Sequence, residues 1–314
     1  MAMRGVLAAI GLLAMAGSAS AQPDNVDDLI GDAPSDEAAL KTDRHTRMTV
    51  PVTIAGAGPY RFLIDTGAQA TVVTHRLVED LSLRRSGTAL LVAMGSSRRV
   101  ETVELDDLEF ANRSVSGLIS PLLHTGNIGA DGILGLDSLQ DTRVLIDFRE
   151  RRMAIADADY ETSNSGYEIV VRARKKLGQM IIADARIDGV RTAVIIDTGA
   201  QNSIANPVLL RKLRARERHE IVSVDVLGTQ LTSSATFLKS LQIGRAELTN
   251  VPIGFAESPI FAALGLSRRP ALVLGMNNLR AFDRVAIDFS TQRVLFDMPS
   301  RRAERERRTD DLAS

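Results

Sequence analysis

The sequence contains one internal duplication, and this feature constrains its fold more than any other. Residues 62–69 (Phe-Leu-Ile-Asp-Thr-Gly-Ala-Gln) return as residues 194–201 (Val-Ile-Ile-Asp-Thr-Gly-Ala-Gln), 132 positions further along the chain. Two later segments return in the same order, at offsets of 140 and 141 residues: 132–137 as 272–277, and 145–148 as 286–289. Solenoid repeats are much shorter, roughly 20–50 residues. The pattern therefore predicts two copies of one structural unit.

Each copy is predicted to be a small, mostly β lobe with short helices. The first lobe covers residues 46–157 and the second covers residues 166–298. Alternating or apolar runs such as residues 48–54 and 193–196 indicate strands. Residues 158–165 are rich in turn-forming side chains and are predicted to be the linker between the lobes. The fold class that follows is all-β.

The two ends of the chain differ from the lobes in composition. Residues 1–21 combine Arg4, an apolar run and small residues before Ala21, which is typical of a secretory signal cleaved after Ala21. The apolar run is shorter than the roughly 20 residues that cross a bilayer. We therefore expect a periplasmic or secreted protein with no stable membrane span after the signal is removed. Residues 22–45 are predicted to be an acidic linker or arm, or alternatively a pro-segment, and residues 299–314 a charged tail.

The composition excludes several classes of function. The 314 residues include no Cys, which rules out disulfides, thiolate metal sites and cysteine nucleophiles. Basic and acidic residues number 38 and 39, so no overall positive field attracts nucleic acid. The four His are scattered, and neither a His-Glu-x-x-His nor a Gly-x-Ser-x-Gly motif is present. We therefore expect no metal, no cofactor and no nucleic-acid partner.

Asp65 and Asp197 are the candidate catalytic residues, because each follows an apolar strand and begins an Asp-Thr-Gly-Ala sequence. Burial after a strand raises the free energy of ionising a carboxyl group. An approximate two-fold axis between the lobes would bring the two groups face to face, and carboxylates about 3 Å apart share one proton. One of them then acts as general base on a water while the other donates a proton to a peptide carbonyl oxygen. The duplicated motif thus predicts peptide hydrolysis between the lobes.

The residues after each aspartate have predicted supporting roles. The Thr hydroxyls can cross-link the two loops by hydrogen bonds. The Gly permits a tight turn and lets backbone N–H groups approach the carboxylate. These active-site support residues are Thr66, Gly67 and Ala68 in the first copy, and Thr198, Gly199 and Ala200 in the second.

The two motifs resemble those of the aspartic proteases, and most closely the retropepsin-like (retroviral-type) branch, whose usual form is Asp-Thr-Gly-Ala. The resemblance covers nearly all of residues 46–298 and implies two homologous retropepsin-like or pepsin-like β-barrel lobes, with the active site between them. It also implies an apolar-apolar-Gly segment beneath each catalytic loop and a hairpin flap over the substrate. The loop-supporting segments are Ile133, Leu134 and Gly135 and, in the second copy, Val273, Leu274 and Gly275. The flap positions are Met94 and Gly95, and Leu227 and Gly228.

Two features depart from the retroviral pattern. Many retroviral enzymes have an Asp after the Ala and an Arg after the distal Gly, which pair as a charged brace at the dimer interface. Here Gln69 and Gln201 replace that Asp, and Leu136 and Met276 replace that Arg. The retroviral enzymes also pair two single-lobe chains, whereas this chain carries both lobes. We expect a monomer, with a lobe-swapped homodimer as the alternative.

The sequence therefore predicts an exported aspartic endopeptidase that binds an extended, apolar peptide or protein segment as an added strand. Two other interpretations stay open. In the first, each aspartate is a structural residue that binds the local backbone at the end of a strand. In the second, the chain is a non-catalytic peptide-binding protein built on the same duplicated fold. Intact Asp-Thr-Gly-Ala sequences in both copies favour catalysis, because a decayed copy would be expected to lose at least one carboxylate.

Overall fold

The computed structural model describes residues 6–8, 37–38, 41–42, 48–157, 167–213 and 219–299. Within these ranges the chain is predominantly β-strand with five short helices, which confirms the predicted all-β fold class. The predicted linker 158–165 and residues 300–314 of the predicted tail lie outside the described residues, as do most of residues 1–45. None of the helices in the described ranges has the length and apolar character needed to cross a membrane.

The first half of the chain forms, in the described residues, fourteen strands and two helices. The strands are β1 (Val6–Ala8), β2 (Glu37–Ala38), β3 (Lys41–Thr42), β4 (Met48–Ile54), β5 (Ala57–Ile64), β6 (Val72–Thr74), β7 (Arg85–Val92), β8 (Ser97–Leu105), β9 (Leu108–Phe110), β10 (Arg113–Val115), β11 (Leu118–Leu123), β12 (Gly132–Leu134), β13 (Thr142–Asp147) and β14 (Arg152–Asp157). The helices are α1 (His75–Asp80) and α2 (Thr125–Ile128).

The second half forms, again in the described residues, eleven strands and three helices. The strands are β15 (Ile169–Arg172), β16 (Arg174–Lys176), β17 (Gln179–Ile187), β18 (Val190–Ile196), β19 (Ile204–Ala205), β20 (His219–Val224), β21 (Gln230–Ile243), β22 (Ala246–Phe255), β23 (Ala271–Leu274), β24 (Arg284–Asp288) and β25 (Arg293–Asp297). The helices are α3 (Pro207–Lys212), α4 (Pro259–Ala263) and α5 (Met276–Leu279).

Local sequence accounts for many of these elements. Alternation in β4 buries Val50, Val52 and Ile54, as expected for a strand with one face toward the core. The side chains of Thr74 and Asn206 accept hydrogen bonds from backbone N–H groups in the first turns of α1 and α3. Those N–H groups have no partner inside the helix, which is why Thr and Asn favour this position.

The two lobes share one strand topology. The first-lobe sheet has the order β1-β7-β8-β11-β6-β12-β5-β4-β9-β10, with β3 added to β4. The second-lobe sheet has the order β16-β17-β18-β23-β19-β22-β21-β20, with an additional pairing between β17 and β21. In each lobe the strand before Asp-Thr-Gly runs parallel to the strand that ends just before the distal glycine, β5 with β12 and β18 with β23. The sequence duplication is therefore a duplication of architecture.

A third sheet joins the lobes. Its strand order is β15-β25-β24-β13-β14-β2, so second-lobe strands form one side of the sheet and strands from the first half of the chain form the other. At its centre β13 and β24 run antiparallel, with Leu145 opposite Ala286. Because these strands occupy equivalent places in the repeat, the antiparallel pair relates the lobes by an approximate two-fold axis. The lobes are thereby fixed to each other by main-chain hydrogen bonds.

Short N-terminal strands add to two of these sheets. The strand β2 extends the joining sheet next to β14, as β15 does next to β25, and β3 pairs with β4. Both β2 and β3 lie within the predicted arm 22–45. The strand β1, within the predicted signal 1–21, runs parallel to β7.

Candidate active site

Each candidate aspartate stands directly after the strand that delivers it. Asp65 follows β5 and Asp197 follows β18. The backbone N–H of Asp65 donates to the carbonyl of Leu134 at 3.1 Å, and that of Asp197 donates to the carbonyl of Leu274 at 3.1 Å. Because β12 runs parallel to β5 and β23 runs parallel to β18, the two aspartates occupy equivalent positions in their lobes.

The loop after each aspartate turns back onto its carboxylate. The Oδ1 atom of Asp65 accepts hydrogen bonds from the N–H groups of Gly67 at 2.8 Å and Ala68 at 3.0 Å. The second-lobe loop repeats this arrangement at Asp197, with distances of 2.9 and 3.0 Å. One oxygen of each carboxyl is therefore fixed by backbone, which orients the other.

The two loops are cross-linked by threonines, as the sequence predicts. The N–H of Thr66 donates to Oγ1 of Thr198 at 3.0 Å, and the N–H of Thr198 donates to Oγ1 of Thr66 at 3.1 Å. Each hydroxyl in turn donates across the interface, Thr66 to the carbonyl of Ile196 at 3.1 Å and Thr198 to the carbonyl of Ile64 at 2.8 Å. These four buried hydrogen bonds lock the loops in one relative position.

Each carboxyl group lies against the glycine of the opposite loop. A Cβ atom added to Gly67 would lie 2.6 Å from Cγ of Asp197, and one added to Gly199 would lie 2.3 Å from Cγ of Asp65. Non-bonded carbon atoms do not approach so closely, so only glycine fits at both positions. The structure thus brings the two aspartates together between the lobes.

The distal segments support the loops from beneath. A Cβ atom on Gly135 would lie 2.3 Å from the backbone carbon of Ala70, and one on Gly275 would lie 2.6 Å from the carbonyl oxygen of Asn202. The apolar residues before these glycines are completely buried: Ile133, Leu134, Val273 and Leu274. They belong to the core and contribute packing, not chemistry.

Both aspartates are withdrawn from solvent, with exposed fractions of 1% for Asp65 and 0% for Asp197. Burial raises the pKa of Asp197 well above its ordinary value of 3.8, and the charge of Asp65 raises it further. The N–H groups of Ala200 and Gly199 act in the opposite direction and lower this pKa. The net effect favours the protonated form of Asp197.

Met94 and Gly95 lie in the turn of the β7–β8 hairpin, which we call the first flap. This flap reaches across to the second lobe. Met94 is completely buried in a cluster that is otherwise almost entirely formed by second-lobe side chains, including Ala200 and Ile260. The hydroxyl of Ser258 donates to the carbonyl of Met94 at 2.6 Å.

Leu227 and Gly228 lie in the turn of the β20–β21 hairpin, the second flap. This flap crosses in the opposite direction. Val226 and Leu227 are buried in a first-lobe cluster that includes Ala68, and Asn127 of the first lobe donates a side-chain hydrogen bond to the carbonyl of Val226 at 3.1 Å. Each flap tip therefore fills apolar space beside the catalytic loop of the other lobe.

Asp225 connects the two flap tips. Its Oδ2 accepts from the N–H of Gly95 at 3.1 Å and from the hydroxyl of Ser96 at 2.8 Å. Its Oδ1 accepts from the N–H groups of Leu227 and Thr229 in its own turn, at 2.9 and 2.8 Å. Sequence reasoning missed this residue. The only available signal was an Asp three residues before the flap Gly, a common turn pattern that does not reveal a partner on the other flap.

The residues in place of the retroviral brace make neutral contacts. The side chain of Gln69 donates to the carbonyl of Leu177 in the second lobe at 2.8 Å, so this position still joins the lobes. The side chain of Gln201 instead donates to Asn277 of its own lobe at 2.7 Å. Leu136, which replaces the Arg of the brace, packs against Gly178 of the second lobe: a Cβ on Gly178 would lie 3.0 Å from the Leu136 side chain. The brace is thus replaced on one side only.

Several other polar residues of the two lobes have local structural roles. Asp147 and Asp288 accept hydrogen bonds from backbone N–H groups in the turns that follow them. The rings of His75 and His124 stack with centroids 4.8 Å apart. Among the described residues, no group of three or more His, Asp or Glu side chains is placed to hold a metal ion.

The sequence profile of the aspartyl protease family matches this chain in two segments, residues 50–138 and 183–278. The chain belongs to the aspartyl protease family. Each segment contains one Asp-Thr-Gly-Ala loop and its distal glycine. No curated protein matches the chain. A crystal structure of a retropepsin-like aspartic protease from Rickettsia conorii is 20% identical, with a TM-score of 0.33, over 41% of this chain and 89% of that chain.

Proposed function

We propose that this member of the aspartyl protease family is an exported endopeptidase that hydrolyses peptide bonds with a water activated by Asp65 and Asp197. The observation that carries the proposal is the crossed packing of each carboxyl group against the glycine of the opposite loop. A structural strand-turn aspartate has no need of a second carboxyl beside it. Two buried, adjacent carboxyls lower stability, because they cannot both be ionised and must share a proton. A residue pair that is unfavourable for stability in this way points to a role in catalysis.

The two aspartates take different roles in the proposed reaction. With its raised pKa, Asp197 holds the proton, and Asp65 is the ionised partner. Asp65 removes a proton from the water as it attacks the peptide carbonyl carbon, and Asp197 donates its proton to the carbonyl oxygen. The tetrahedral intermediate collapses when Asp65 passes the proton that it took from the water to the leaving nitrogen and Asp197 recovers a proton from a hydroxyl of the intermediate. The carbon–nitrogen bond then breaks, which releases the amine and a new carboxyl end. Neither a metal nor a covalent intermediate takes part.

The proposed substrate is an extended segment of apolar peptide lying between the catalytic loops and the flaps. The tips of the two hairpins are joined through Asp225, and their side chains Met94 and Leu227 fill apolar space beside Ala200 and Ala68. A substrate therefore enters only after the flap tips separate, and its apolar side chains replace those of the flaps.

We also propose that the protein is exported as a monomer after cleavage behind Ala21. Such cleavage would remove β1 from the edge of the first-lobe sheet and leave both aspartates in one chain. Amino-terminal sequencing of protein recovered from the cell envelope or medium tests the site, and an intact Met1 would contradict it. Light scattering distinguishes a monomer from a lobe-swapped dimer.

The enzymatic proposal is tested by cleavage of a denatured protein from ~pH 3 to ~pH 8, comparing the wild type with Asp65→Asn and Asp197→Asn. We expect each substitution to reduce the rate by about 10²–10⁴-fold, the range for loss of a general acid or base. Asp184→Asn is the matched control, because Asp184 is exposed and its ion pair with Arg191 lies on the surface. Loss in only one of the two variants would contradict a shared dyad. A wild type that binds peptides without cutting them would favour the peptide-binding alternative.

A further inference from the structure

A hairpin of the second lobe reaches into the first catalytic loop. It consists of β16, a turn at residues 177–178, and the start of β17. Its last turn residue is followed by Gln179, whose side chain is completely buried and donates a hydrogen bond from Nε2 to the carbonyl of Gly67 at 2.7 Å. The same hairpin accepts the hydrogen bond from Gln69 at the carbonyl of Leu177. The first catalytic loop is thus held from the other lobe at two neighbouring points.

The carbonyl that Gln179 holds belongs to the residue in contact with both carboxyl groups. The N–H of Gly67 donates to Asp65, and its Cα faces the carboxyl of Asp197. A peptide group is planar, so fixing the Gly67 carbonyl fixes the plane that carries the N–H of Ala68, the second donor to Asp65. Rotation of this plane would weaken the hydrogen bond from the Ala68 N–H to Asp65 and would change the packing of Gly67 against the Asp197 carboxyl.

The orientation of the Gln179 amide follows from its partner. A backbone carbonyl only accepts hydrogen bonds, so the atom that faces it is Nε2 and not Oε1. The Oε1 atom is buried and has no hydrogen-bond partner among the described residues. A buried acceptor without a partner lowers stability, so the Gln179 side chain carries its Oε1 at a cost to the fold. A residue that disfavours stability beside a reactive centre points to a functional constraint.

Gln179 has no equal in the first copy of the repeat. In the strand registers, Ile181 pairs with Ile195 as Thr49 pairs with Leu63, so the residue corresponding to Gln179 is Arg47. Arg47 lies outside the described residues. The two loops have the same sequence from the Asp to the Gln, but the residues at the position of Gln179 differ between the copies, Gln in one and Arg in the other.

We propose that Gln179 is a positioning residue for the two aspartates: it holds the Gly67 peptide plane from the second lobe and thereby fixes the distance and angle between Asp65 and Asp197. This inference rests on the proposed function for its catalytic consequence. Its structural part, the control of the carboxyl pair by Gln179, stands without catalysis.

The test compares the wild type with Gln179→Leu, Gln179→Glu and the matched control Gln242→Glu, whose side chain is exposed on β21. In Gln179→Leu we expect kcat to fall about 10–100-fold with little change in KM, because misplacement near a reactive centre has effects of this size. Gln179→Leu removes the unpartnered Oε1 but also leaves the buried Gly67 carbonyl without its donor, so we expect its resistance to urea to stay close to that of the wild type. A side chain required only for packing would instead lower stability and activity together.

The Gln179→Glu variant supplies a readout in pH. A protonated Glu can donate a hydrogen bond to the Gly67 carbonyl, whereas an ionised Glu cannot. We therefore expect the activity ratio of Gln179→Glu to wild type to be highest at low pH and to fall as the pH rises through the pKa of the introduced carboxyl, which burial raises. The ratio for Gln242→Glu stays constant with pH. A constant ratio for Gln179→Glu would overturn the inference.

A second measurement separates this inference from the proposed function. Carbon-13 NMR of labelled aspartate carboxyls follows the titration of Asp65 and Asp197 whether or not the protein cleaves peptides. We expect the titration of the pair to shift in Gln179→Leu and to stay unchanged in Gln242→Glu. An inactive wild type whose titration shifts in Gln179→Leu would contradict the proposed function alone. An active wild type whose titration and kcat are both unchanged in Gln179→Leu would contradict the inference alone.

Discussion

Thr66 and Thr198 form a reciprocal pair of hydrogen bonds: the backbone N–H of Thr66 donates to the hydroxyl oxygen of Thr198 at 3.0 Å, and the backbone N–H of Thr198 donates to that of Thr66 at 3.1 Å. Their hydroxyls donate to the ends of the opposite strands, β18 and β5. Neither catalytic loop can therefore complete its hydrogen bonds alone. The relationship couples the folding of the lobes to the assembly of the site.

Replacement of Thr198 by Val tests this coupling. Val has the shape of Thr without the hydroxyl, so the N–H of Thr66 and the carbonyl of Ile64 lose buried partners. Each buried group left without a partner costs about 1–3 kcal/mol. We expect urea unfolding to show a loss in this range or above it, while Thr198→Ser recovers most of it. The exposed Thr88→Val is the control, and equal stabilities for the two Val variants would contradict the prediction.

Gly67→Ala tests the crossed packing of carboxyl and glycine. The added methyl group would lie 2.6 Å from Cγ of Asp197 and must displace that side chain. We expect cleavage to fall by about 10²-fold or more, and the free energy of unfolding to fall by about 1–3 kcal/mol through overpacking. A Cβ on Gly126 meets no atom within 4 Å, so Gly126→Ala is the control. Full activity in Gly67→Ala would show that the Asp197 carboxyl does not lie against Gly67 as described.

The raised pKa of Asp197 predicts a pH dependence of stability. Between the ordinary value of 3.8 and the raised pKa, the folded state binds the Asp197 proton more tightly than the unfolded state, so the free energy of unfolding falls as the pH rises. Asp197→Asn removes this titration and keeps a neutral side chain. We expect this variant to be more stable than the wild type at pH 7, and the difference to disappear below the unfolded-state pKa of about 4.

Urea unfolding of the wild type and Asp197→Asn across this pH range is the measurement. The exposed Asp184→Asn serves as control, since removing an exposed charge has little effect on stability. A difference between wild type and Asp197→Asn that is the same at every pH would mean that the substitution acts through packing and not through the proton.

The flap contacts predict that Asp225 keeps the cleft closed. Asp225→Ala removes both hydrogen bonds to the first flap, from Gly95 and Ser96. We expect the distribution of distances between the two flaps to broaden and its mean to increase. The apolar contacts of the tips and the hydrogen bonds from Ser258 and Asn127 are then left to hold the flaps. The flaps should remain largely closed in Glu220→Ala, which changes an exposed residue of the same hairpin.

The absence of cysteine makes this measurement direct. Spin labels on Cys introduced at the exposed residues Arg98 and Thr232 report the distance between the flaps without background labelling. An unchanged distance distribution in Asp225→Ala would show that the apolar contacts alone keep the flaps closed.

Much of the architecture follows from the sequence because the signals are local or repeated. Strand alternation, the caps at Thr74 and Asn206 and the two Asp-Thr-Gly-Ala loops each depend on residues close together in the chain. The repeat adds long-range information, since two like lobes with one motif each imply a site between them. The two copies differ after the distal glycine: the helix α5 follows Gly275, whereas turns follow Gly135, where Asp137 accepts hydrogen bonds from the N–H and hydroxyl of Thr71.

The contacts that the sequence did not predict are those that break the symmetry of the repeat. Gln179 and Asp225 have no equal at the corresponding positions of the first copy, so comparison of the two copies gave no reason to select them. Their partners, Gly67 and Gly95, lie 112 and 130 residues away along the chain. Such pairs come together only when both lobes have formed and the joining sheet has set their relative position.

The sequence by itself determined the lobe, its duplication and the chemical groups of the site, because periodicity and turn residues act over a few neighbouring positions. Tertiary structure decided which lobe supports which loop, where the flap tips lie and how deeply the two carboxyls are buried. Those features depend on distances of a few ångströms between residues from different lobes, and on the burial that results, and no local pattern encodes either quantity.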